Sequence, residues 1–158
     1  PEEHIAMKIA IGADHAGFEL KERLKGYLTV RGHEVVDMGT SSCESTDYPA
    51  YAFRVAEAVR DGAAAQGFLV CDSGNGIAIA ANKVDGIRAA IAFNPDLAAL
   101  ARRHNDANIL VLGAKILPRE AEEPTLDAWL GAAFEGGRHA RRVGQIADYE
   151  RTHQRRGA

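Results

Sequence analysis

Short apolar segments alternate with helix-prone segments along most of the chain, and this alternation is the feature that most constrains the fold. Residues 7–12, 34–38, 68–71, 88–93 and 107–112 have the length and the apolar, β-branched character of buried strands. Strands that alternate with helices build βαβ units, which form parallel sheets covered by helices on both faces. The pattern therefore predicts an α/β fold with a five-stranded, mostly parallel sheet.

The intervening segments carry apolar residues at helical spacing. In residues 18–30, the side chains of Leu20, Leu24, Tyr27 and Leu28 fall on one face of a helix. Further helices are predicted after residue 50, after the glycine loop near residue 75, near 95–103, and in two later segments. The first of these is marked by Ala52, Val55, Ala56 and Val59, and the last two by Leu126, Trp129, Leu130 and Ala133 and by Val143, Ile146 and Ala147. We expect a Rossmann-like three-layer α/β/α sandwich. Its single domain would span residues 7–150, between a tag or extension at 1–6 and a basic tail at 151–158.

Composition excludes several classes of function. A net charge of −3 gives no general reason to expect nucleic-acid binding or a membrane surface. No apolar run approaches the roughly 20 residues of a membrane span, and the polar start of the chain does not resemble a signal peptide. Cys43 and Cys71 make neither a disulfide framework nor a zinc-ligand set. We expect a cytoplasmic protein with no partner of these two classes.

Residues 66–83 carry the most specific chemistry. The apolar run that begins at Phe68 ends on Cys71, and the turn 72–76, rich in glycine, leads into the helix-prone segment that begins at Ile77. Backbone N–H groups in such a loop can bind an anion, and a cysteine beside a helix N-terminus more readily becomes a thiolate. A potential base next to an anion-stabilising loop indicates an enzyme.

Polar residues follow most of the predicted strands. Because α/β folds bind ligands at the carboxyl ends of their strands, these residues are candidates for one site: Asp14 and His15 after the first strand, residues 40–48 after the second, residues 71–76 after the third and Asn94 after the fourth. His104 and Asn105 instead precede the fifth strand. They could reach such a site only from the other end or from another subunit, which is a first indication of an oligomer.

Each candidate also has a purely structural interpretation. A lone strand cysteine is usually core packing, and Asp14 could simply cap the first helix. His15 and His104 could be surface residues. Arg138 and Arg142 share a helix face at i, i+4 spacing, and could be either a solvated face or a phosphate clamp.

Taken together, five motifs in the same order are far more discriminating. The chain resembles the ribose-5-phosphate isomerase B family, which also holds the subunits of galactose-6-phosphate isomerase. The resemblance runs from residue 7 to about residue 149 and rests on segments 12–18, 46–49, 71–83, 104–108 and 135–139.

The resemblance implies an aldose–ketose isomerase that interconverts ribose 5-phosphate and ribulose 5-phosphate through a cis-enediolate. Cys71 matches the carbon-acid base, assisted by Ser73, and His104 matches the ring-opening acid and base. The resemblance also implies substrate contacts. The backbone of residues 72–76 (Asp72, Ser73, Gly74, Asn75, Gly76) would hold the enediolate, Asn105 would lie beside His104, and Asp14 would contact sugar oxygens. The phosphate contacts would be His15, Lys115, Arg138 and Arg142, and Asp47 and Tyr48 would line the pocket. The resemblance also implies a homodimer, or a dimer of dimers, with the site shared across the interface, and neither a metal nor an organic cofactor.

Three positions depart from the pattern of the family. Asp72 stands where glycine is common after the cysteine, and its charge would oppose a thiolate if it pointed at Cys71. Lys115 stands where many relatives carry a phosphate-binding arginine. Ile77 occupies the position of the glutamate base in the branch without the cysteine, which favours Cys71 as the base.

Other functions remain open from the sequence. The substrate could be allose 6-phosphate, galactose 6-phosphate or a tetrose phosphate. A non-catalytic module that binds a sugar phosphate, or a flavodoxin-like module, would use a similar sheet and loop.

Overall fold

Five strands form one sheet in the computed structural model, which describes residues 5–153. In chain order they are β1 (Lys8–Ala13), β2 (Glu34–Asp37), β3 (Gln66–Cys71), β4 (Ala89–Ile91) and β5 (Ile109–Gly113). Their order across the sheet is β2-β1-β3-β5-β4, and every neighbouring pair is parallel. The predicted α/β fold is confirmed, and the sheet is parallel throughout rather than mostly parallel.

Six α-helices connect and follow the strands. They are α1 (Phe18–Val30), α2 (Tyr48–Arg60), α3 (Asn75–Ala81), α4 (Pro95–Asn105), α5 (Glu122–Gly131) and α6 (Arg138–Thr152). Short 3₁₀ turns at His15–Gly17 and Arg119–Ala121 lead into α1 and α5.

Apolar side chains cover both faces of the sheet, as the strand and helix patterns predict. On one face, residues of α1, α4 and α5 pack around Phe68 and Trp129. On the other face, residues of α2 and α3 pack around Leu69 and Cys71. Consecutive residues of β3 therefore serve opposite layers, as strand geometry requires. This arrangement is the three-layer sandwich expected from the sequence.

Some element boundaries differ from the predictions. α2 begins at Tyr48 rather than after residue 50, because Pro49 fits the first turn of a helix. The fourth strand is only three residues long, and α5 ends at Gly131, so Ala133 lies outside the helix in which it was placed. Residues 1–4 of the expected extension and 154–158 of the expected tail lie outside the described residues, and α6 continues to Thr152 within the tail segment.

The final helix differs from the others in how little of it the chain covers. In α6 His139 is the buried residue, while Ile146 is 50% and Tyr149 65% exposed. Its apolar stripe is thus correctly placed at helical spacing but largely uncovered by this chain. Across residues 5–153, no helix combines the length and the apolar character that crossing a membrane requires.

The α1 stripe offers a test of which apolar positions support the fold. Leu24 is fully buried, and Val30 on the same helix is 86% exposed. We expect Leu24→Ala to lower the free energy of unfolding by about 2–5 kcal/mol, because it leaves a cavity in a close-packed layer. Val30→Ala should change it by less than about 0.5 kcal/mol. Urea unfolding of both variants measures the difference, and equal effects would contradict the packing described above.

Candidate active site

The end of β3 places Cys71 at the carboxyl edge of the sheet, by which we mean the edge formed by the carboxyl ends of the parallel strands. Its side chain is 5% exposed and packs among the residues between the sheet and α2–α3. The Gly74 N–H donates to the Cys71 Sγ across 3.1 Å. Because a donor favours the negative form of the atom that accepts its hydrogen bond, this contact suits a thiolate.

The loop after Cys71 is shaped by its own hydrogen bonds and by a close neighbour. Gly74 adopts a left-handed conformation, with φ of +88°, which glycine accepts without strain. The Asn75 N–H donates to the Ser73 Oγ across 3.2 Å, and α3 begins at Asn75. A Cβ on Gly113 of β5 would lie 2.5 Å from the Ser73 carbonyl oxygen, so the glycine permits β5 to pack directly on the loop.

Residues from two neighbouring connections reach the same edge. Asp14 directly follows β1; its backbone N–H donates to the Val70 carbonyl across 3.3 Å, and its carboxylate accepts from the Gly17 N–H. Tyr48 begins α2, and its ring lies against Gly76, where a Cβ would come within 2.6 Å. Asp47, just before Tyr48, is exposed.

His15 is held by the loop that follows β2. Its Nδ1 lies 3.1 Å from the Thr46 N and 3.2 Å from the Thr46 carbonyl oxygen. The Thr46 hydroxyl in turn lies 2.9 Å from the Tyr51 hydroxyl. Hydrogen bonds to Thr40 and Thr46 lower the pKa of Tyr51. Thr46 belongs to a motif noted in the sequence, but its contact with His15 and the role of Tyr51 were not predicted, since nothing in the spacing of these residues reveals them.

Lys115 and Asp72, both highly exposed, form an ion pair at this edge. The Lys115 Nζ lies 3.5 Å from the Asp72 Oδ2. With Cys71, Ser73, Asp14, His15 and Tyr48, this pair makes up what we call the thiol site.

A second group of candidates lies at the opposite edge, which is formed by the amino ends of the strands. α4 starts after β4 and ends at Asn105, before β5 begins, so His104 and Asn105 lie near the amino ends of the strands. The Glu135 N–H donates to the Arg103 carbonyl, which ties the segment before α6 to the same place. We call His104, Asn105, Glu135, Arg138, His139 and Arg142 the histidine site.

The histidine site contains two residues that the sequence analysis gave no role. The His139 ring stacks on the His104 ring, with centroids 4.1 Å apart and planes 8° apart. Glu135 lies 3.7 Å from the His104 Nε2 and 4.0 Å from the His139 Nε2. The i, i+4 spacing of Glu135 and His139 was the available signal. Burial lowers the pKa of His139, and the positive charges of His104 and Arg138 act in the same direction.

Three potential metal ligands meet here, but their geometry does not suit a metal. His104, Glu135 and His139 bring their ligand atoms within 4.8 Å of one another. A metal must lie in the plane of each imidazole that binds it, and two parallel stacked rings cannot share one such point. Arg138 and Arg142 at the start of α6 would also repel a cation.

The thiol site and the histidine site are separated by the length of the strands. β3 and β5 pair from Gly67 with Ile109 to Cys71 with Gly113, which corresponds to about 13 Å along the strands. The predicted base and the predicted ring-opening histidine are therefore not neighbours within one chain. A cavity of about 550 Å³ lies between α6 and the turn after α3, lined by residues that include Arg142, Lys83 and Tyr149, and Cys71 is not among them.

Comparison with known proteins identifies the family. Residues 9–146 match the family model described as Ribose/Galactose Isomerase. The chain belongs to the ribose/galactose isomerase family. It is 50% identical over 143 residues to ribose-5-phosphate isomerase B of Escherichia coli (strain K12), covering 90% of this chain and 96% of that one. It is 42% identical over 145 residues to a putative sugar phosphate isomerase of Bacillus subtilis (strain 168), covering 91% and 97%.

Solved structures of this isomerase family match the fold closely. Ribose-5-phosphate isomerase B of Clostridium thermocellum superposes with a TM-score of 0.92 at 49% identity, covering 94% of this chain and all of that one. Ribose-5-phosphate isomerase B of Mycoplasma genitalium, solved with bound ribulose-5-phosphate, superposes with a TM-score of 0.88 at 39% identity, covering 91% and 96%. The family resemblance inferred from the five motifs is confirmed.

The lowered pKa of His139 makes a prediction about pH. Because the folded chain disfavours a charged His139, the unfolded chain binds more protons as the pH falls through the ordinary histidine value of about 6.5. Stability contributed by neutral His139 is therefore complete above that value and decreases below it. Ring-proton NMR should show His139 titrating below ordinary histidine, and His104→Gln should raise its pKa. An unchanged titration in His104→Gln would contradict the coupling.

Proposed function

We propose that this protein interconverts ribose 5-phosphate and ribulose 5-phosphate, with Cys71 as the base. The observation that carries the proposal is the free thiol of Cys71 at the end of β3. It accepts a hydrogen bond from Gly74, the left-handed residue of its loop, in a chain of this isomerase family. The similar Mycoplasma genitalium enzyme binds ribulose-5-phosphate, which favours a pentose over the four- and six-carbon alternatives. A flavodoxin-like module has no comparable support.

The thiol site would carry the proton transfer. Cys71, as thiolate, removes a proton from C2 of the open-chain aldose and returns it to C1, with a cis-enediolate between the two steps, while the hydroxyl proton on O2 passes to O1. Ser73 assists beside it, and the backbone of residues 72–76 stabilises the oxyanion. The Gly74 N–H already donates to the Cys71 Sγ, and such a donor stabilises negative charge on the atom that accepts its hydrogen bond.

The remaining candidates would bind the substrate. His104 is the acid and base of ring opening: the C1 hydroxyl loses its proton, the bond between C1 and the ring oxygen breaks, and the ring oxygen gains a proton. Asn105 contacts the substrate beside His104, and Asp14 binds sugar oxygens. His15, Lys115, Arg138 and Arg142 bind the phosphate, and guanidinium groups suit this task because they bind phosphate oxygens in pairs. Asp47 and Tyr48 line the pocket.

We propose that the protein is a homodimer, or a dimer of dimers, in which each active site combines two chains. The thiol site and the histidine site lie at opposite edges of the sheet, so a thiol site acquires a ring-opening histidine only from a second copy. A two-fold axis would unite the thiol site of each chain with the histidine site of its partner. The apolar residues of α6 that this chain leaves exposed, Ile146 and Tyr149, suit burial in such an interface.

We further propose that residues 7–150 act as one isomerase domain in the cytoplasm. The family model covers nearly all of that range. A reducing compartment would keep the Cys71 thiol available as a base.

Turnover of ribose 5-phosphate by the purified protein tests the proposal. We expect Cys71→Ala to lower kcat by at least about 10³-fold, because no other group replaces the carbon base, while calorimetry still detects substrate binding. Cys43→Ser, which alters an exposed cysteine, should retain wild-type activity and serves as the control. Near wild-type turnover by Cys71→Ala would exclude this thiol as the base, and preferential turnover of a tetrose or hexose phosphate would correct the substrate.

Mixing two inactive variants tests the shared site. In a heterodimer of Cys71→Ala and His104→Ala chains, one of the two sites combines an intact thiol with an intact histidine. With random exchange of subunits, about half of the dimers are mixed and the mixture should recover about one quarter of wild-type activity. Sites contained within single chains would recover none. Size-exclusion chromatography before and after exchange checks that the subunits associate.

A further inference from the structure

The Asp72–Lys115 ion pair lies directly beside the proposed base, and its main chain is held there. The Ala114 N–H donates to the Cys71 carbonyl across 2.8 Å, and the Lys115 N–H donates to the Asp72 carbonyl across 2.9 Å. Together with the close contact of Gly113 on Ser73, these bonds fix residues 113–115 against residues 71–73. Lys115 is therefore a permanent neighbour of Asp72, whatever rotamers the two side chains adopt.

Apolar residues form much of the surroundings of the thiol. Cys71 belongs to a buried cluster with apolar residues of β1, α2, α3 and β5, and α3 carries no ionisable residue. Asp14 follows β1 on the side of β3 away from β5, and Tyr48 faces the loop from the start of α2. Asp72 directly follows Cys71 in the chain, and Lys115 is hydrogen-bonded to Asp72 through the main chain, so these two residues bring charges of opposite sign close to Cys71.

Each member of the pair would by itself disturb the thiolate. An isolated Asp72 carboxylate, one residue from Cys71, disfavours a second negative charge, whereas an isolated Lys115 ammonium favours it. Both side chains are more than half exposed, so their ion pair adds little to folding stability. Its effect on a nearby charge does not depend on that stability.

We propose that Asp72 and Lys115 act as a compensating pair that leaves the ionisation of Cys71 close to what it would be with neither charge present. Lys115 shields the thiolate from Asp72, and Asp72 prevents Lys115 from over-stabilising the thiolate into a weak base. This inference rests on the proposed function only in that Cys71 is taken as the base. Asp72 and Lys115 are, in this respect, positioning residues for charge rather than catalytic residues.

The ionisation of Cys71 can be followed by the far-ultraviolet absorbance of the thiolate as the pH is raised. The titration uses the full chain with Cys43→Ser, and the same chain with Cys71→Ala serves as the blank. We expect Asp72→Asn to lower the pH midpoint by about 0.5 unit and Lys115→Met to raise it by a similar amount, as for one unit charge several ångströms away in a watery surrounding. The double variant should return to within about 0.2 unit of the parent.

Two controls separate charge from structural change. Lys8→Met removes an equal charge at the far, amino end of β1 and should leave the midpoint unchanged. In about 1 M salt, where charges are screened within about 3 Å, the single variants should approach the parent. Single variants that shift in the same direction, or a Lys115→Met midpoint equal to the parent, would overturn the compensating pair.

These outcomes are independent of the assay for the proposed function. A chain that shows the opposite shifts but no turnover of ribose 5-phosphate would retain the compensating pair and refute the isomerase proposal. A chain that turns over ribose 5-phosphate without the opposite shifts would support the isomerase proposal and refute the compensating pair.

Discussion

The packing of β5 against the end of β3 is the constraint on which the thiol site depends. Gly113 lacks a Cβ, so its backbone approaches the Ser73 carbonyl more closely than any other residue would permit. The hydrogen bonds of Ala114 and Lys115 to the carbonyls of Cys71 and Asp72 then extend the strand pairing beyond the sheet. The loop after Cys71 is consequently supported by a neighbouring strand rather than by its own residues alone. A side chain on such a support is held in a defined position, since the strands on both sides are buried.

The direction of the parallel strands decides which residues can meet. All carboxyl ends lie at one edge, so Asp14, Tyr48, Cys71 and Lys115 converge there although they are far apart in the sequence. The same rule carries His104 and the start of α6 to the other edge. Neither edge alone holds both the proposed base, Cys71, and the proposed ring-opening histidine, His104. The uncovered apolar face of α6 is consistent with the shared site that we propose.

Much of the fold and of the candidate site could be predicted from the sequence alone, for identifiable physical reasons. Leu20, Leu24 and Leu28 recur at helical spacing because they face one apolar layer, and all three are buried. The strand ending at Cys71 was recognisable because a fully buried strand is a continuous apolar run. Boundaries were less accessible: Ala133 continues the apolar spacing of α5, yet the helix ends two residues earlier. The contacts of Thr46 with His15 join loops 31 residues apart, and no local pattern encodes such a pairing.

The sequence by itself determined the class of fold, the position of the thiol at a strand end and the family, since each depends on local periodicity or on short motifs. Only the tertiary structure decided that Lys115 pairs with Asp72, that His139 stacks on His104 and that the segment before α6 joins the end of α4. The physical reason is that periodicity reports which face of an element is buried. It carries no information on which distant element covers that face, and side-chain contacts across elements follow from the order of strands in the sheet.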